Sequence, residues 1–132
     1  YADGDEDYAA TIVARPGTSE HQTGLAADIT DDYYEFKNES LENTQTYQWM
    51  SAHCQDYGFI VRFPKGKEDI TGIIYEPWHF RYVGKTAAKY IMEKGLTLRI
   101  LSASFIADED ERALVYKSEA FGKVLVQGYG VV

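Results

Sequence analysis

Cysteine, proline and histidine are scarce in this chain: 132 residues contain one, three and three of them. The single Cys54 excludes an internal disulfide, and its helix spacing with Tyr47, Met50 and Tyr57 reads as a core thiol. No apolar stretch approaches the ~20 residues of a membrane span, and no signal peptide is visible at Tyr1. Positive charge is also short, with 13 Lys and Arg against 21 Asp and Glu and a formal net charge of −8. That balance disfavours nucleic acid, whose phosphates need a basic face. Against these absences stand an apolar content of 45% and eleven glycines. They argue for a folded chain with one core, a single domain over residues 1–132. Neither repeats nor low-complexity segments occur.

Periodicity and punctuation predict a mixed layout. Asp3 to Asp7 reads as an acidic, frayed start, Ala10 to Ala14 and Leu25 to Thr30 as strands, and Asp31 to Glu42 as a polar, Tyr-rich loop. Asn43 or Thr44 caps a helix that runs to Tyr57, with apolar positions at 47, 50, 54 and 57 and Gly58 as its stop. A strand over Phe59–Phe63, a charged turn over Pro64–Asp69, and strands around Ile73 and Phe80 follow. Thr86 to Lys94 reads as a helix ended by Gly95. Further on, Asp108 and Glu111 have capping-box spacing for a helix to about Ala120, and Lys123 to Gly130 reads as a strand and turn. The order suits an α+β domain whose small, mainly antiparallel sheet carries the site and is flanked by helices.

Two runs concentrate the chemistry. The first, Ser19 to Asp28, holds His21 and, seven residues later, Asp28. Gly24, Ala26 and Ala27 lie between them, small enough for a sharp turn packed around an ion. The second, Glu76 to Gly84, places Glu76 three residues before His79. Pro77 breaks the preceding strand, and Trp78 to Tyr82 resumes extended structure. There His79 and Arg81 share one face, while Trp78, Phe80 and Tyr82 share the other, the aromatic face being core. Taken singly, His21 is a satisfied polar residue, Asp28 a helix cap and Glu76 a solvated strand end. Taken together, two imidazoles and two carboxylates are what a hydrolytic zinc site requires: three ligands, an open position, and a carboxylate that takes a proton from water. His53, the remaining histidine, sits in a plain helical stretch.

These residues resemble a family. Ser-x-His-x-x-x-x-x-x-Asp followed by Glu-x-x-His is similar to the signature of LAS-type zinc peptidases, which include the VanY-like D-alanyl-D-alanine carboxypeptidases. The stretch from Ala14 to Asp28 looks like the VanY form throughout. Gly58 to Lys67, Ile70-Thr71-Gly72 and the Glu76–Gly84 run match as well, so the resemblance covers about residues 12–98 and leaves 99–132 outside the pattern. The resemblance implies zinc ligands His21, Asp28 and His79, with Glu76 as general base. It also implies Ser19 on the substrate's terminal carboxylate and Trp78 as a pocket wall.

Family members carry an Arg-containing Ser-Gly-Tyr-Arg segment before the first motif, and no such segment stands at the start of this sequence. Either the sequence is a piece of a longer protein, or another arginine substitutes, or the molecule is impaired. Arg15, Arg62 and Arg81 are the candidates, with Arg15 and Arg81 nearest the motifs. The activity implied is zinc-dependent D,D-carboxypeptidase action on peptidoglycan stem peptides ending in D-Ala-D-Ala, at the bacterial envelope or otherwise outside the cytoplasm. The alternatives are a D-Ala-D-Ala dipeptidase, an L,D- or endopeptidase of the same fold, or a zinc-stabilised wall-binding module without catalysis.

Overall fold

The computed structural model describes residues 5–32 and 37–99. The helix and strand expected beyond Asp108 lie outside them, as do part of the acidic start and part of the Tyr-rich loop. The described chain forms helix α1 (Glu6–Ile12), strand β1 (Ala26–Asp28), helix α2 (Gln45–His53) and strand β2 (Phe59–Val61). Helix α3 (Glu68–Thr71), strand β3 (His79–Tyr82) and helix α4 (Lys85–Lys94) complete it. None of these helices is long and apolar enough to cross a membrane.

β3 is the centre of a three-stranded antiparallel sheet of order β1-β3-β2. Its register places Asp28 opposite His79, Ala27 opposite Phe80, and Ala26 opposite Arg81. On the other side Ile60 meets Arg81 and Val61 meets Phe80. Side chains alternate across a strand, so the odd-numbered residues of β3 face one way and the even-numbered the other. On the even face, Phe80 packs with Val61 and Cys54, bordered by Ile29, which follows β1, and by Tyr47 and Met50 of α2. The opposite side of the fold buries Ile60, Val83, Ala87, Ala88, Ile91 and Leu98. His79 and Arg81 are 5% and 4% exposed, so both faces of β3 are covered.

The helix expected to reach Tyr57 forms as α2, capped by the Thr44 hydroxyl on the Tyr47 amide, and then tightens into a 3-10 turn over Cys54–Tyr57. Gly58 ends it at φ +87°, where a Cβ would lie 2.7 Å from the Tyr82 ring. A side chain is therefore excluded by both backbone conformation and space. Cys54 is buried with Tyr47 and Met50, whereas Tyr57 points outward.

Two expected strands are not strands. Residues 6–12 form α1, because Asp5 accepts the Tyr8 amide as a cap and Glu6 and Asp7 occupy the first turn. Acidic residues there complement the helix dipole, and Ala9 and Ala10 favour helix. Across residues 73–75 the Ile74 N–H donates to the Thr11 carbonyl, which ties the segment to α1, while the Ile73 N–H and carbonyl are both engaged by the Thr71 hydroxyl. Gly72 closes α3 just before the segment and Pro77, which cannot donate, follows just after it, so the segment stays short and joins no ladder among the described residues.

Candidate active site

The first motif is shaped by a 3-10 turn over Glu20–Thr23. The Ser19 hydroxyl oxygen accepts the His21 amide, and the Thr23 hydroxyl donates to the Glu20 carbonyl. Gly24 then reverses the chain at φ +71° into β1, a conformation few side chains tolerate. The second motif is a turn in which the His79 amide donates to the Glu76 carbonyl. The Glu76 amide donates to the Phe63 carbonyl, and the Arg62 amide to the His79 carbonyl, so the turn is pinned to the end of β2.

These elements bring His21, Asp28 and His79 together, with one ligand atom from each within 4.8 Å of the others. Asp28 Oδ1 lies 3.2 Å from His21 Nε2 and 3.2 Å from His79 Nδ1. That oxygen is buried and makes no hydrogen bond. A buried carboxylate oxygen between two imidazole nitrogens and bonded to neither is costly in a bare protein, and is what a cation would satisfy. Two nitrogens and one carboxylate oxygen are also the donor set that zinc accepts. The other Asp28 oxygen is held by Lys37.

Glu76 is 7% exposed, and its Oε2 lies 3.5 Å from His79 Nδ1. Burial pushes its carboxyl up to about 7, and the nearby Asp28 and Glu20 charges add to the shift against the opposing pull of His79 and Lys37. A carboxyl near neutrality is suited to accepting and returning a proton. Glu20 sits on the far side of His79 and behaves oppositely. Burial would raise its pKa, but the hydrogen bond with His79 and the charges of Arg62 and Arg81 hold it down at about 2.

A cleft of about 500 Å³ opens over this cluster, lined by α1 and by Arg15, Ser19, His21, Arg62, Glu76 and His79 among others. Ser19 and Arg15 therefore share the cleft with His21, His79 and Glu76. Trp78 is buried in the turn and Arg81 is bonded to Glu20, and neither is among the cleft-lining residues. Arg62, by contrast, does line it, with a buried Nη1 that has no hydrogen-bond partner. His53 is exposed beside Asp56 and belongs to no metal-ligand cluster among the described residues. Spacing did not point to Lys37 or to Glu20 as a partner of His79. Lys37 is nine residues from Asp28 and Glu20 is 59 from His79, so only the fold brings them together.

The family model for VanY, D-alanyl-D-alanine carboxypeptidase, matches residues 2–85, which includes α1 and both motifs. A curated relative, the putative carboxypeptidase YodJ of Bacillus subtilis, is 53% identical over 94 residues. The match takes in 70% of this chain and 34% of that protein, so the chain spans about a third of its relative's length. The structure of the LdcB LD-carboxypeptidase is similar with a TM-score of 0.66 and 53% identity, over 71% of this chain and 44% of that one. A VanY D,D-pentapeptidase from a VanB-type vancomycin resistance cassette, crystallised with Zn(II), is similar at a TM-score of 0.58 and 46% identity. That likeness covers 69% of this chain and 48% of the other. With its two motifs converging on one cleft and its sequence matched over most of the described length, the chain belongs to the VanY D-alanyl-D-alanine carboxypeptidase family.

Proposed function

We propose that this chain is the zinc-binding catalytic part of a D,D-carboxypeptidase that removes the terminal D-alanine from peptidoglycan stem peptides outside the cytoplasm. The observation that carries the reading is the placement of Glu76, 3.5 Å from a nitrogen of the His21–Asp28–His79 cluster and open to the same cleft. Zinc held by these three residues would polarise the scissile carbonyl and make water acidic enough to be deprotonated near neutral pH. Glu76 takes that proton and hands it to the departing amine.

Ser19 uses a hydroxyl lone pair on the His21 amide, which leaves its proton free to donate to the substrate's terminal carboxylate. Arg62 or Arg15 supplies the charge-assisted partner, as both line the cleft. The likeness to LdcB favours a second reading, cleavage at an L,D bond. Both readings are tested with zinc-loaded protein on a pentapeptide ending in D-Ala-D-Ala, the tetrapeptide shortened by one residue, and C-terminal amides of both. Release of D-alanine from the pentapeptide acid alone is the expected result. Release from the tetrapeptide acid alone moves the assignment to L,D-carboxypeptidase, and equal cleavage of acids and amides to an endopeptidase. No turnover of any peptide by zinc-loaded protein would leave the wall-binding module.

A further inference from the structure

His79 can serve a metal only if the correct nitrogen carries the lone pair and the ring is held still. Both conditions are set by the group on the other ring nitrogen. In this protein that group is Glu20: His79 Nε2 lies 2.7 Å from Glu20 Oε1. The second Glu20 oxygen accepts from Arg81 Nη1 at 2.7 Å and from Arg62 Nε at 3.2 Å. One carboxylate thus divides its oxygens between an imidazole and two guanidinium groups, and it cannot rotate without losing contacts on both sides. Its partners come from two parts of the sheet region: His79 and Arg81 share a face of β3, and Arg62 follows the end of β2. A carboxylate between two guanidinium groups remains ionised and can only accept, so Nε2 keeps its hydrogen and the Nδ1 lone pair faces Asp28 and His21.

We propose that Glu20 is a positioning residue for the metal centre, locking the tautomer and orientation of His79 while Arg81 and Arg62 hold Glu20 itself. The inference rests on the reading of His79 as a metal ligand. It also gives Arg81 a role behind the site rather than on the substrate. Acceptors of this kind govern metal affinity by about 10- to 100-fold.

The test compares zinc dissociation constants, by chelator competition, for wild type, Glu20→Gln and the double variant Glu20→Leu/Arg81→Met. A glutamine has one amide oxygen for three donors, so it cannot serve the imidazole and both guanidiniums. The double variant removes the carboxylate together with Arg81, the more buried of its two guanidinium partners. Both are expected to bind zinc at least tenfold more weakly, and the downfield imidazole N–H resonance of zinc-loaded His79 is expected to move upfield. Wild-type affinity with an unshifted resonance, in either folded variant, would overturn the proposal. Independently of variant folding, wild type loaded with cadmium-113 should show metal coupling to Nδ1 of His79, and coupling to Nε2 would overturn it. Failure of wild type to bind any metal would instead remove the zinc reading on which the inference rests.

Discussion

Glu76→Gln separates proton transfer from metal binding. Glutamine matches glutamate in size, so the turn from Glu76 to His79 and the bond from the Glu76 amide to the Phe63 carbonyl are kept. The variant loses only the ability to accept a proton, an effect on the order of 10²–10⁴ in rate. That corresponds to about 3–5 kcal/mol of barrier. Stability should move the other way in the metal-free protein. Burial raises this carboxyl from 4.5 to about 7, and keeping it ionised costs about 3 kcal/mol at pH 8. The folded state therefore binds a proton that the unfolded state has released between those values, and wild type loses stability as pH rises through that window. A neutral amide carries no such cost. Metal-free Glu76→Gln should accordingly melt several degrees above metal-free wild type at pH 8, with the gap closing near pH 4. The assays are zinc content by elemental analysis, D-alanine release under single-turnover conditions, and melting curves at both pH values. Turnover within tenfold of wild type by a zinc-replete variant would refute the assignment of the base. Glu20 would be a poor substitute, as its carboxyl is held at about 2.

His79→Ala and Asp28→Ala should each lose tightly bound zinc and activity together, whereas His53→Ala should lose neither; elemental analysis of His79→Ala with undiminished zinc would contradict the ligand set. Ser19→Ala removes one hydrogen bond to a charged group, about 1.5–3 kcal/mol, so kcat/KM should fall about 10- to 100-fold with zinc content unchanged. The preference for free-acid over amidated peptide should narrow with it. Burial pushes the Cys54 thiol from 9.0 up to about 11, so at pH 8 a thiolate-directed reagent should label native protein about 100-fold more slowly than unfolded protein. Equal labelling rates would place the thiol outside the core.

Local signals were enough for much of the layout. Thr44, Gly58 and Gly95 act on their own neighbours, so the helix over 45–57 and the end of α4 could be read from caps and stops. The alternation through His79–Tyr82 likewise separates an aromatic face from a His–Arg face without reference to the rest of the chain. Helix α1 was missed because Asp5 and its acidic first turn resemble a frayed terminus until the cap bond is seen. The strand expected at residues 73–75 failed because a strand needs partners, and apolar composition does not supply them.

The two motifs name candidate ligands by type and spacing, since hydrolytic zinc sites draw on imidazoles and carboxylates whatever the fold. Their meeting is a matter of register. Asp28 stands opposite His79 only because β1 pairs with β3 in that alignment, and a slip of one residue would turn Asp28 to the aromatic face. Tertiary structure alone sorted the arginines, turning Arg81 inward to Glu20 and placing Arg15 and Arg62 along the cleft. It alone joined Glu20 to His79, since that contact spans 59 residues and no local rule of spacing reaches so far.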